Sequence, residues 1–188
     1  MITLFLHDGP YNRGERGYSL LRERALLFAT EAFPALDPEA IRQGEIRKGP
    51  GGKPYFPSLP IHFSLSHSQR IWMCAYSTQP CGLDVQAMED VRHQALADRF
   101  FTASEQAYVE EHGPQGFFQL WVRREAFGKY TGEGFFGPRP DLVQDGQLVD
   151  RVRWQGTSLW LHEIPLAGPW QAALVTPEED TSFLQHIR

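Results

Sequence analysis

Apolar positions along this chain alternate, recur at helical spacing or gather in short runs, and each pattern predicts an element. ITLFLH (Ile2 to His7) reads as a first strand. Leu20, Leu21, Ala25, Leu27 and Phe28 recur at roughly helical spacing, which predicts a helix over about 17–33 with Arg22, Glu23 and Arg24 among its polar positions. KGPGGKPYFPSLP (Lys48 to Pro60) is too rich in glycine and proline for regular structure and predicts a loop. Three compact runs follow: IHFSLS (61–66), IWMCAYS (71–77) and CGLDVQ (81–86). Their separators are short enough to predict an antiparallel meander. A helical stretch is expected over 91–101. Thr102 and Glu105 have the spacing of a capping box, so a new helix starts there. Gly113-Pro114 predicts a break, and a third helix over about 115–130 ends at Gly132 and Gly134. The tail segments QLVDRVRW, SLWLHEI and WQAALVT return to strand.

Each half therefore reads as helix plus antiparallel strands. The expected fold class is α+β, with two halves divided as 1–80 and 81–188.

Composition narrows the partners more than the fold. The 188 residues are enough for one domain or two small ones. The formal net charge is −5, which argues against a broad basic field and hence against nucleic acid as a partner. Two cysteines, Cys74 and Cys81, stand in or beside apolar runs without further ligands nearby, and are expected as buried thiols in a reducing compartment. ITLFLHDG is too short for the apolar core of a signal peptide, and no run approaches the ~20 apolar residues that span a bilayer. The expectation is a cytoplasmic protein with no membrane partner.

Several residues could carry chemistry. Asp84 and Gln86 are two apart on an expected strand, so they share one face, while Leu83 and Val85 turn into the core. An aspartate in such a run is costly unless it is paired or binds a cation. On this pattern alone the favoured reading is an edge-strand acid with an ordinary hydrogen bond. Glu125 and Lys129 are four apart on an expected helix, which by itself describes a surface ion pair worth a few tenths of a kcal/mol. His67 ends the FSLS run, and Lys53 lies in GGKP; each has a bland alternative as a turn histidine or a solvated lysine.

The combination is less common than its parts. In order, the chain carries GKP, FSLSHS, GLDVQ, RFFTASE and WVRREAFGKYTGEG, between about Lys53 and Gly134. This order and spacing resemble the 4'-phosphopantetheinyl transferases of the surfactin-synthetase-activating type, within the holo-[acyl-carrier-protein] synthase superfamily. The resemblance implies an α+β pseudo-dimer with coenzyme A in the cleft between its halves, and a monomeric enzyme. It implies transfer of phosphopantetheine from coenzyme A to a serine of an apo acyl or peptidyl carrier protein. Asp84 and Glu125 would be magnesium ligands, with Glu125 also the general base. Lys129 and His67 would hold diphosphate oxygens. Lys53 and Arg47 would contact the nucleotide end and its 3'-phosphate, with Arg13 and Arg16 as further cations for that phosphate. Gln86 stands where the family usually has a second acid, so it would touch the metal through water or not at all. Glu105 has two readings: a helix cap or a residue approaching the site. The rival functions are a non-catalytic module binding coenzyme A or a carrier, and a metal-dependent phosphohydrolase acting on coenzyme A.

Overall fold

The computed structural model describes residues 1–9, 11, 14–49 and 51–179, and the backbone of 184–187. In chain order its elements are β1 (Ile2–Asp8), α1 (Glu15–Ala32), α2 (Pro38–Arg42), β2 (Arg47–Lys48), β3 (Pro54–Tyr55), β4 (His62–Ser68), β5 (Ile71–Ser77) and β6 (Gly82–Ala87). Then follow α3 (His93–Phe100), α4 (Ala103–Thr131), β7 (Val143–Gln144), β8 (Gln147–Leu148), β9 (Arg151–Trp154), β10 (Thr157–Glu163), β11 (Trp170–Thr176) and β12 (Leu184–Ile187). The class is α+β, as expected.

Two four-stranded sheets organise these elements, in the orders β12-β1-β5-β4 and β6-β11-β10-β9. The central strands β5 and β11 are buried at every position, so both of their faces are covered. Ile2, Leu4, Met73 and Ala75 on one sheet meet Leu83, Val85, Ala172 and Leu174 on the other in a shared core. On the outer face of the first sheet, Phe5, Trp72 and Tyr76 pack on Leu21, Ala25 and Phe28 of α1. On the outer face of the second, Leu159, Leu161, Ala173 and Val175 pack on Val122, Ala126 and Phe127 of α4. The layers are helix, sheet, sheet, helix. β12 pairs in parallel with β1, so residues 184–187 lie in the first sheet.

Two expectations change on folding, and the expected break at Gly113-Pro114 is found. The runs at 61–66, 71–77 and 81–86 do not form one meander: β4 and β5 pair antiparallel, but β6 joins β11 of the other sheet. Turn length alone cannot say which neighbour a strand chooses; here the inward faces of β6 and β11 complete the shared core. The 48–60 loop contains a short pairing of Arg47 with Tyr55 and Lys48 with Pro54. The helices on either side of Gly113 abut directly. Gly113 takes φ 61° and ψ −145°, and helix resumes at Pro114, whose missing N–H is harmless at a first helical position. Gly132, at φ 80°, ends α4 in the left-handed conformation that favours glycine. Cys74 and Cys81 are free and buried. Among the described residues no helix is long and apolar enough to cross a membrane.

Candidate active site

The edges of the two sheets meet where β4 and β6 run side by side in the same direction. Beside this meeting line opens a cleft of about 450 Å³, lined by Ser66, His67, Asp84, Gln86, Glu125 and Lys129 together with Tyr11, Tyr18, Lys48, Gly52 and Pro54. Strand alternation places Asp84 and Gln86 on one side of β6 while Leu83 and Val85 enter the core. That side faces α4. Gly82 permits the close approach: a Cβ there would collide with the Ala126 carbonyl oxygen and the backbone of Tyr130.

Asp84 is 2% exposed, and both oxygens of its carboxylate accept hydrogen bonds. Ser66 Oγ donates to Oδ1 at 2.6 Å, and Lys129 Nζ donates to the same oxygen at 2.7 Å. Gln86 Nε2 donates to Oδ2 at 3.3 Å. Lys129 also reaches the Leu65 carbonyl at 3.3 Å, so its ammonium spans from helix α4 to strand β4. Glu125 stands one turn before Lys129 on α4. Burial pushes its carboxyl pKa up, the nearby charge of Asp84 adds to this, and Lys129 and Arg124 oppose it. An acid whose proton is held more firmly than usual is a better proton acceptor once ionised.

The donor set fits a hard cation. Two carboxylates and an amide side chain line one cleft, and magnesium prefers oxygen ligands. Among the described residues no three His, Cys, Asp or Glu side chains converge as a metal-binding group. A cation here would therefore draw on two acids and complete its shell with water and substrate oxygens.

The remaining expected residues separate. His67 lines the cleft, with the Tyr11 ring stacked on it at 5.5 Å between centroids. Its neighbour across the sheet is Trp72. Lys53 lies in an adjoining cavity of about 220 Å³ shared with Glu125 and Lys129, and its ammonium donates to the Cys81 carbonyl at 2.5 Å. Burial lowers its pKa, and the charge of Lys129 adds to this. Lys53 thus ties the glycine-rich loop to the start of β6. Arg47 is exposed and paired with Glu45 at 2.7 Å, and it does not line the cleft. Its neighbour Lys48 does, because successive side chains of a strand point to opposite faces. Arg16 is exposed in the first turn of α1 and is absent from the cleft lining. Arg13 lies outside the described residues. Glu105 caps α4: its N–H donates to Thr102 Oγ1 at 3.3 Å, and its Oε2 accepts from the Thr102 N–H at 3.0 Å. It is fully buried and is not a residue of the cleft.

Sequence reasoning missed Ser66, Lys48, Tyr11 and Tyr18. A signal for Ser66 was present in FSLSHS, where Ser64, Ser66 and Ser68 repeat with period two on an otherwise apolar strand. Nothing in the local pattern marks the two tyrosines, which reach the cleft through the packing of α1 and its preceding loop.

Residues 80–174 match the family described as the 4'-phosphopantetheinyl transferase superfamily. A 4'-phosphopantetheinyl transferase of Bacillus subtilis is 32% identical over 133 residues, 68% of this chain and 58% of the relative. The 4'-phosphopantetheinyl transferase Sfp of Bacillus subtilis strain 168 is 35% identical over 106 residues, 52% of this chain and 47% of the relative. The 4'-phosphopantetheinyl transferase psf-1 of Bacillus pumilus is 38% identical over 112 residues, 54% of this chain and 47% of the relative. The chain spans about half the length of the curated relatives it matches.

Proposed function

Because this chain belongs to the 4'-phosphopantetheinyl transferase superfamily, we propose that it moves the phosphopantetheine arm of coenzyme A onto a serine of an apo carrier protein, in a magnesium-dependent reaction. The observation that carries this is the pairing across one cleft of a sealed, doubly bonded Asp84 with a Glu125 whose pKa is raised. Phosphoryl transfer asks a protein mainly for positioning and charge stabilisation, and these residues suit both tasks.

The carrier serine oxygen attacks the β-phosphorus of coenzyme A. The bond from that phosphorus to the bridging oxygen breaks, and 3',5'-adenosine bisphosphate leaves with the electron pair. The serine proton passes to the Glu125 carboxylate, directly or through a water. Lys129 and His67 bind diphosphate oxygens. Lys48, facing the same cleft, binds the nucleotide phosphates, and Arg13 and Arg16 are proposed as further cations for the 3'-phosphate. Asp84 and Glu125, with Gln86 beside them, would hold a magnesium ion, which would neutralise the charge that develops on the diphosphate.

Residues 1–80 and 81–188 act in this scheme as two similar halves with coenzyme A between them. Each sheet with its long helix supports this division, and the return of β12 to β1 is its exception. The test is incubation with coenzyme A, magnesium and a panel of apo carriers, read by mass. A phosphopantetheine-sized gain on a carrier is the expected result. Cleavage of coenzyme A without a carrier would point to a phosphohydrolase, and binding without either reaction to a non-catalytic module.

A further inference from the structure

The facing edges of the two sheets are joined by side chains rather than by a backbone ladder. Ser64, Ser66 and Ser68 project from one face of β4 toward β6. Ser64 Oγ accepts from the Leu83 N–H at 2.9 Å, and Ser68 Oγ accepts from the Ala87 N–H at 3.0 Å. These two hydroxyls satisfy edge amides that would otherwise be left unpaired, and they brace β6 at both ends. Ser66 stands between them and does something different: it donates to a side chain, the Asp84 carboxylate, at 2.6 Å. Ser66 and Asp84 are both buried, and both line the cleft.

The geometry points to Ser66 as a positioning residue that sets which oxygen of Asp84 is offered to a cation. Oδ1 carries two donors, the Ser66 hydroxyl and the Lys129 ammonium, whereas Oδ2 carries only the Gln86 amide at a longer distance. A short hydrogen bond to an ionised acceptor is stronger and more directional than a neutral one. Losing it frees the carboxylate to rotate and lets Oδ1 compete with Oδ2. Partners of this kind, bonded to a ligand rather than to the metal, change metal affinity or activity by about 10- to 100-fold when removed. The inference rests on the magnesium-dependent transferase assignment above.

The test uses the full chain with Ser66→Ala, Ser66→Thr and Ser68→Ala. Manganese binding is followed by electron paramagnetic resonance in the presence of coenzyme A, alongside the magnesium concentration giving half-maximal transfer and the thermal midpoint. Ser66→Ala is expected to weaken manganese binding and raise the magnesium midpoint about tenfold or more, with the maximal rate less affected. Ser66→Thr keeps the hydroxyl and should restore most of the affinity. Ser68→Ala should lower the thermal midpoint and leave the metal midpoint alone. Unchanged manganese binding and magnesium midpoint in Ser66→Ala, in a chain whose wild type transfers, would overturn the positioning role. Equal shifts in Ser66→Ala and Ser68→Ala would do the same, since they would reflect loosening of β6 as a whole. Failure of the wild type to transfer to any carrier would instead strike the transferase assignment, while manganese binding still reports on Ser66.

Discussion

Asp84 and Glu105 are both buried carboxylates that meet a basic side chain, yet their surroundings differ in one respect. Glu105 is saturated. Arg139 grips it with two parallel bonds at 2.7 and 2.9 Å, the Thr102 and Leu142 amides donate to it, and Arg124 stands 3.8 Å away. Arg124 is itself packed over the rings of Phe101 and Phe135. Every lone pair is used to fasten the 139–142 segment to the first turn of α4. Asp84 has its second oxygen only lightly engaged and borders the cleft. A fully satisfied acid holds structure together; a partly satisfied one at a cavity wall can do chemistry.

Substitutions should separate the two acids. The largest effect is expected at Glu125, the partner of Asp84 across the cleft. Glu125→Gln should lower transfer by about 10²- to 10⁴-fold, the range for loss of a general base, measured as holo-carrier formed over time. A rate near wild type would remove Glu125 from the reaction. The same variant should leave the protein as stable or more stable at neutral pH. The sign follows from the raised pKa of Glu125: the fold favours its protonated form, so its favourable contribution is present below the ordinary carboxylate pKa and is lost as pH rises through the raised value. Urea unfolding of wild type and Glu125→Gln at acid and neutral pH checks this.

Next in size is the break in the other region. Arg139→Ala leaves Glu105 buried with only a distant cation and should cost about 3 kcal/mol, seen in urea unfolding. The folded fraction should keep transfer activity. Loss of activity without loss of stability would mean that Glu105 serves the site as well as the fold. A smaller effect is expected in titration. Without added cation, the Glu125 carboxyl followed by NMR should titrate above the usual glutamate range, because burial and the charge of Asp84 raise it. A value at or below the ordinary one would contradict that environment. The smallest is Gln86→Glu, which adds an anionic oxygen beside Asp84 and should tighten magnesium dependence while keeping activity. An unchanged magnesium titration would show that position 86 does not contact the metal.

Much of the fold was legible because its signals are local. The capping box at Thr102 and Glu105, the strand at 170–176 and the glycine end of α4 all depend on neighbours within a few residues. The Asp84, Glu125 and Lys129 set was legible for another reason: the two motifs that carry it resemble a known family, although each alone looks ordinary. Where expectation failed, the determining partner was distant in sequence. The β6 strand follows β5 by a short turn but pairs with β11, almost ninety residues on. Lys48 lines the cleft and Arg47 does not, because strand alternation turns the two side chains to opposite faces.

The sequence by itself determined the class of fold and most element boundaries, because periodicity and caps are properties of a one-dimensional string. Only the tertiary structure decided how the two acids and their lysine are held. The bond from Ser66 to Asp84 and the reach of Lys129 to Leu65 join residues 18 and 64 positions apart, and Lys53 turns out to hold the Cys81 carbonyl. Such contacts follow from how two sheet edges and a helix meet in space, and burial there sets which oxygens remain open for chemistry.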